Sequence, residues 1–235
     1  MSRRGFTFKQ FHINHDQCAM KVGTDGILLG AWANTGAARR ILDIGTGSGL
    51  VALMLAQRTN PEVSITGLEL DEAAALQAAD NVQASPWPEK VDIVQGALQQ
   101  YQATPFDLIV SNPPYFTHGQ DFENPARGQA RHTGSLSLAE LFSHSRRLLS
   151  PEGSLMLVLP GQAMDEALAQ AAENGFYVAE KLAVITKEGK VAGRFLLCLT
   201  RIKCCTLEDE LVINTKHNAY SDAYVSLVSP FYLKM

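Results

Sequence analysis

The run Ile41-Leu42-Asp43-Ile44-Gly45-Thr46-Gly47-Ser48-Gly49-Leu50 constrains the fold more than any other stretch of the chain. A short apolar strand enters three alternate glycines, and a helical apolar pattern follows through Val51, Leu53, Met54 and Leu55. Such glycines let the backbone turn sharply and come close to a ligand, and the helix behind them offers free N–H groups. The spacing is Gly-x-Gly-x-Gly. A dinucleotide fingerprint needs Gly-x-Gly-x-x-Gly, and bulky Leu50 stands where its last glycine would be. A pyrophosphate site, and with it a dehydrogenase, is disfavoured. Asp43, just ahead of the loop, suits a cationic or amine-bearing ligand better than a phosphate.

Beyond this run the chain alternates strand and helix. Strands are expected near 41–45, 64–69, 91–95, 106–111 and 154–159, and helices near 49–58, 71–84, 137–149 and 162–174. That order predicts βαβ crossovers and a mostly parallel sheet in an α/β fold. A helix is expected from Thr24 to about Ala33, with Thr24 as N-cap. The tail, Tyr177–Ile185 and Arg194–Arg201 around the polar turn Lys187-Glu188-Gly189-Lys190, reads as a closing antiparallel hairpin. Residues 116–136 are long, polar and weakly periodic, a substrate loop by that pattern.

Two further strand ends carry chemistry. Val63–Glu69 ends in Glu69, where an acid bonds the ribose hydroxyls of a bound nucleoside; the same acid also suits the start of a helix. Phe106–Ser111 runs into Asn112-Pro113-Pro114-Tyr115. The two prolines stiffen this loop and strip it of donors. The Asn112 side chain and the Pro113 carbonyl can then accept both hydrogens of one planar NH2 group, with Tyr115 against its flat face. The alternative for the tetrapeptide alone is a stiff turn beside a core tyrosine. The glycine loop, Glu69 and the Asn-Pro-Pro-Tyr loop, in this order at strand ends, together favour the catalytic reading.

With these residues the chain resembles the class I S-adenosylmethionine-dependent methyltransferases that act on amino groups. Gly5–Phe11, Cys18–Trp32 and the tail Ala219–Tyr224 through Phe231-Tyr232-Leu233 are similar to the bacterial tRNA1(Val) adenine-N6 methyltransferase family. The resemblance covers nearly the whole chain. It implies a Rossmann-like, mostly parallel seven-stranded sheet with an antiparallel C-terminal hairpin strand and an N-terminal helical extension. It implies one methyltransferase domain over 1–235, with 1–35 covering the cofactor pocket. S-adenosylmethionine would bind at Gly45, Gly47, Gly49, Glu69 and Asn112, with Asp43 close by. The family adds Lys21, Thr24 and Asp25 as pocket walls, although simple helix capping could be the whole role of Thr24. Asn112, Pro113, Pro114 and Tyr115 would be catalytic, and no metal is implied. One departure is Ala97, at a place where the family commonly carries an acid for the adenine amine. A backbone carbonyl, Gln99 or water would have to replace it.

The implied substrate is the N6 amine of adenosine 37 in the anticodon loop of valine tRNA. A protein glutamine of a release factor and guanine N2 of ribosomal RNA are the rivals within the same chemistry, and a non-catalytic nucleotide- or RNA-binding module is the rival outside it. The net charge of −4 counts against bulk affinity for polyanions, so tRNA would need local basic patches. Candidates are Arg3, Arg4 and Lys9; Arg39 and Arg40; Arg146 and Arg147; Lys187, Lys190 and Arg194; and, best placed, Arg127 and Arg131. Taken alone, each reads more readily as a solvated face than as a phosphate contact. Four cysteines without Cys-x-x-Cys spacing, no apolar leader and no membrane-length apolar stretch point to a reduced, cytoplasmic protein with no evident obligate protein partner.

Overall fold

The computed structural model describes residues 5–114 and 136–234. An eight-stranded sheet dominates them. In chain order its strands are β3 (Arg40–Ile44), β4 (Ser64–Glu69), β5 (Val91–Gln95), β6 (Phe106–Ser111), β7 (Leu149–Pro160), β8 (Tyr177–Lys187), β9 (Arg194–Thr200) and β10 (Leu207–Asn214). They lie in the spatial order β10-β8-β9-β7-β6-β3-β4-β5. The helices are α1 (Thr24–Trp32), α2 (Leu50–Arg58), α3 (Glu72–Gln83), α4 (Leu138–Leu148), α5 (Met164–Glu173) and α6 (Asp222–Val228). A small antiparallel pair, β1 (Gly5–Thr7) and β2 (His12–Asn14), stands apart from the main sheet.

Apolar strands with helices on both faces explain the parallel core. Ile41, Leu108, Val110, Met156 and Val158 bury one face against α1 and α2. Leu42, Ile44, Ile109, Leu155 and Leu157 bury the other against α4 and α5. This is the period-two alternation of a pleated strand. The chain winds from β3 outward to β5, then returns to the opposite side of β3 with β6, so the strand order reverses between β3 and β6. Ligands of open α/β sheets bind beyond the carboxyl ends at such a reversal.

Several expectations are corrected. The sheet has eight strands rather than seven, because β10 adds in parallel to β8 as an edge. Its acidic start, Glu208-Asp209-Glu210, hides the strand from pattern reading, and only Leu211 and Ile213 are buried. The N-terminal extension is a hairpin as well as a helix: Phe8, Phe11 and Ile13 are buried, and Lys9 N donates to Phe231 O at 2.8 Å, clasping the two ends of the chain. Thr24 is not the N-cap of α1. Gly23 takes that place with extended backbone and no side-chain cap, and Thr24 is already helical. β7 starts at Leu149 rather than near residue 154, and runs through Pro151-Glu152-Gly153. A bulge against β6 accommodates it, and at Gly153 a Cβ would stand 2.9 Å from Asp107 O.

Candidate active site

The glycine loop, the end of β4 and the end of β6 meet because β3 lies between β4 and β6 in register, Ile44 pairing with both Leu68 and Ser111. Gly45 N and Thr46 N both donate to Leu68 O, at 2.8 and 3.1 Å. Gly45, Gly47 and Gly49 all have positive φ, +69°, +56° and +80°, a region costly for any residue with a Cβ. Glu69 Oε2 accepts from Gly47 N at 2.8 Å and Oε1 from Asp71 N at 3.0 Å, so the carboxylate stands fixed at the strand end. The buried Ser111 hydroxyl donates to Ile44 O at 2.8 Å and closes the seam between β3 and β6.

These loops open on a cavity of about 790 Å³, a size suited to a nucleoside-bearing ligand. Of the residues expected from the sequence, Gly45, Gly47, Glu69, Ala97, Asn112, Pro113 and Pro114 line it together. At Gly45 and Gly47 an added Cβ would meet no protein atom within 4 Å, so the loop leaves free volume at the cavity wall. Tyr115, Arg127 and Arg131 lie outside the described residues, as does the expected substrate loop up to Leu136, which lines the cavity.

Four expected residues, Asp43, Gly49, Lys21 and Thr24, are not among those that line it. Asp43 is buried beneath the loop; its Oδ2 accepts from Thr46 Oγ1 at 2.6 Å and Ala52 N at 3.2 Å. Burial pushes its carboxyl up to about 7 against those bonds. Gly49 faces α3, where a Cβ would come 3.6 Å from that of Ala78. Lys21 Nζ donates to the carbonyls of His15 at 2.8 Å, Cys18 at 3.3 Å and Asp16 at 3.4 Å. Thr24 is exposed at the first turn of α1. Its neighbour Asp25 pairs with Arg194 Nε at 2.8 Å. A Cβ on Gly26 would be 3.1 Å from Leu50 and 4.0 Å from Asn112 Nδ2, so the start of α1 packs beside the Asn-Pro-Pro loop.

The opposite wall is the strap Gln17-Cys18-Ala19-Met20, within the 1–35 extension expected over the pocket but at residues that the sequence reading did not name. Cys18 is buried there, and burial, with the Glu69 carboxylate nearby, pushes its thiol up to about 11. His15 accepts from Val22 N at 3.0 Å through Nδ1, and burial, with Lys21 beside it, holds its pKa below the usual histidine range. No local pattern announces this wall; its signal is the pair of amides Gln77 and Asn81, one turn apart on α3 and turned inward. Several expected basic candidates serve the fold instead. Arg146 donates to Asn174 O at 3.1 Å, Arg147 to Tyr101 O at 2.9 Å, and Arg40 lies over the Phe106 ring.

The family model described as Methyltransferase small domain matches residues 21–183. A protein of Aeromonas hydrophila named tRNA1(Val) (adenine(37)-N6)-methyltransferase is 55% identical over 98% of this chain and 98% of its own length. One of the same name from Bacteroides thetaiotaomicron is 44% identical over the full length of both. The chain belongs to the tRNA1(Val) (adenine(37)-N6)-methyltransferase family. Among solved structures, a predicted O-methyltransferase from Agrobacterium tumefaciens matches with a TM-score of 0.67 at 19% identity, covering 88% of this chain and 96% of that one. A ribosomal protein L11 methylase from Lactobacillus delbrueckii matches at 0.56 and 18%, covering 76% and 78%. These two show the fold alone. Among the described residues no helix is long and apolar enough to cross a membrane, and no group of three or more His, Cys, Asp or Glu could hold a metal ion.

Proposed function

We propose that this chain methylates the exocyclic N6 amine of adenosine 37 in the anticodon loop of valine tRNA, using S-adenosylmethionine. The observation that carries the reading is the shared cavity: the Asn112-Pro113-Pro114 loop, the glycine loop and Glu69 all open on it. Near-full-length likeness to the named relatives supports the substrate.

The residues fit the cofactor. Gly45 and Gly47 leave room beside the backbone for its amino-acid part, and Glu69 offers a fixed carboxylate to ribose hydroxyls. With Ala97 on the wall in place of an acid, the adenine amine is left to backbone carbonyls and Gln99. When bound, S-adenosylmethionine supplies a methyl group on a sulfonium, a reactive electrophile.

The chain's own work is orientation. The target base leaves the loop stack at a cost of a few kcal/mol, and Tyr115 offsets part of it by stacking, about 1–3 kcal/mol. The Asn112 side-chain oxygen and the Pro113 carbonyl accept the two N6 hydrogens. The nitrogen lone pair is thereby turned out of ring conjugation and aimed at the methyl carbon. No strong base would be required, because the amine would become acidic as the N–C bond formed and the S–CH3 bond broke, with S-adenosylhomocysteine leaving as the neutral thioether; the proton would pass to the loop acceptors and then to water. The titratable carboxyl of Asp43 is buried under the glycine loop, committed to Thr46 and Ala52, and takes no part. Most of the acceleration is thus proximity and alignment.

The test is transfer of labelled methyl to three substrates side by side: tRNA lacking its own modification, ribosomal RNA, and a release factor. Label recovered as N6-methyladenosine at position 37 of valine tRNA is the expected result. Label in the release factor or in guanine would overturn the substrate, and cofactor binding without transfer to any of them would favour a passive module.

A further inference from the structure

Asn81 and Gln77 lie on one face of α3, four residues apart, and both are nearly sealed from solvent, at 1% and 8% exposure. Buried amides are costly unless their bonding capacity is used. Here it is used on the strap. Asn81 Oδ1 accepts from Asn14 N at 2.9 Å, while its Nδ2 donates to Asn14 O and to Ser48 O, both at 2.8 Å. Gln77 Oε1 accepts from Gln17 N at 3.0 Å and from the Cys18 thiol at 3.3 Å, and its Nε2 donates to Asp16 Oδ1 at 2.7 Å.

The two side chains therefore join three parts of the molecule. Ser48 belongs to the glycine loop. Asn14, Asp16, Gln17 and Cys18 belong to the end of β2 and the strap. Between them on α3, Ala78 abuts Gly49, so the helix also sets the back of the loop. Among the described residues no backbone ladder ties the strap to the main sheet, and β2 pairs with β1. The two amides thus bridge α3 to both cavity walls.

We propose that Gln77 and Asn81 are positioning residues that hold the Gln17–Met20 strap against the glycine loop and thereby set cofactor affinity. Neither amide lines the cavity: Gln77 acts through Gln17 and Cys18, which do, and Asn81 acts through Asn14, ahead of the strap, and Ser48, within the glycine loop. The proposal rests on the assignment of this cavity to S-adenosylmethionine.

The test pairs two readouts on the full chain. Calorimetric binding of S-adenosylhomocysteine to Asn81→Ala and Gln77→Ala is expected to weaken about tenfold or more, the scale of leaving one buried partner unsatisfied. At saturating cofactor kcat is expected to stay within about threefold, because Asn112 and Pro113 are untouched. The second readout is alkylation of Cys18 by iodoacetamide, followed by peptide mass spectrometry. Cys204 and Cys205 are exposed and serve as the fast internal reference. Cys18 alkylation should accelerate in both variants and slow again when S-adenosylhomocysteine is added. A charge-exchanged pair, Gln77→Glu with Asp16→Asn, restores a donor–acceptor pair of opposite direction and should recover affinity that Gln77→Glu alone loses. A lower melting temperature with unchanged affinity and unchanged Cys18 reactivity would overturn the proposal. Failure of the wild-type protein to bind S-adenosylhomocysteine would instead overturn the cofactor assignment beneath it.

Discussion

The glycine loop and the strap that faces it across the cavity are held by opposite means. The loop is held by its own backbone: positive φ at Gly45, Gly47 and Gly49, and N–H groups bonded to Leu68 O and Glu69. The strap is held by side chains, from Lys21 just after it and from Gln77, about sixty positions away in the chain. A backbone device tolerates many side chains but demands glycine. A side-chain device leaves the local sequence free but fails when one distant amide is lost.

The two regions should break differently from the chemistry they frame. The largest effect belongs to neither: Asn112→Ala is expected to lower kcat by about 10²–10³-fold, on the scale of losing one polar contact to the transition state, while S-adenosylhomocysteine binds as before. Equal loss of both would contradict the role given to Asn112.

Within the loop, Gly47→Ala and Gly49→Ala sharpen the comparison. Each forces an L residue into the left-handed region, costing about 1–2 kcal/mol of stability in a urea melt. At Gly47 the methyl also enters open volume at the cavity wall, so affinity for S-adenosylhomocysteine should fall about tenfold, or roughly 1.4 kcal/mol. At Gly49 the methyl lies against Ala78, so stability falls without a matching loss of affinity.

Asp43 gives a pH signature of the loop's foundation. Its folded pKa, about 7, lies above the unfolded value of 3.8. Between these values the folded state binds the extra proton, so its contribution to stability is fully present below about pH 4 and lost as pH rises toward 7. Urea melts at pH 5 and 7.5 should show that fall for the wild type. In Asp43→Asn the fall should be smaller, because this titration is gone.

The smallest effect is expected at the Asp25–Arg194 pair, whose side chains are 29% and 41% exposed. Asp25→Ala should cost less than about 1 kcal/mol of stability, because solvent screens such pairs. A large loss of cofactor affinity there would restore Asp25 to the pocket wall that the family resemblance gave it.

The main strands and helices were legible because apolar periodicity is a local property: β4, β5 and β6 lie where the alternation places them. The candidate catalytic cluster was legible for a related reason. Strand ends carry the loops, and Gly45, Glu69 and Asn112 each announce themselves by residue type at a strand end. β10 was not, because its burial is confined to Leu211 and Ile213 and its partner is distant in sequence. Thr24 misled because a threonine before an apolar helix pattern reads as a cap, whereas packing starts the helix at Thr24 itself, with Gly23 ahead of it.

The sequence alone determined the α/β class, the turn after β3 that admits a ligand, and the donor-poor Asn-Pro-Pro loop, since each depends on φ preference and hydrogen-bonding capacity within a few residues. Only the tertiary structure decided which of those residues share a cavity: Glu69 and Asn112 face it, while Asp43 and Gly49 turn beneath the loop and Lys21 ties the strap. That choice depends on the pairing of β3 between β4 and β6 and on two amides of α3 reaching the N-terminal strap. These long-range contacts form only once the sheet is assembled.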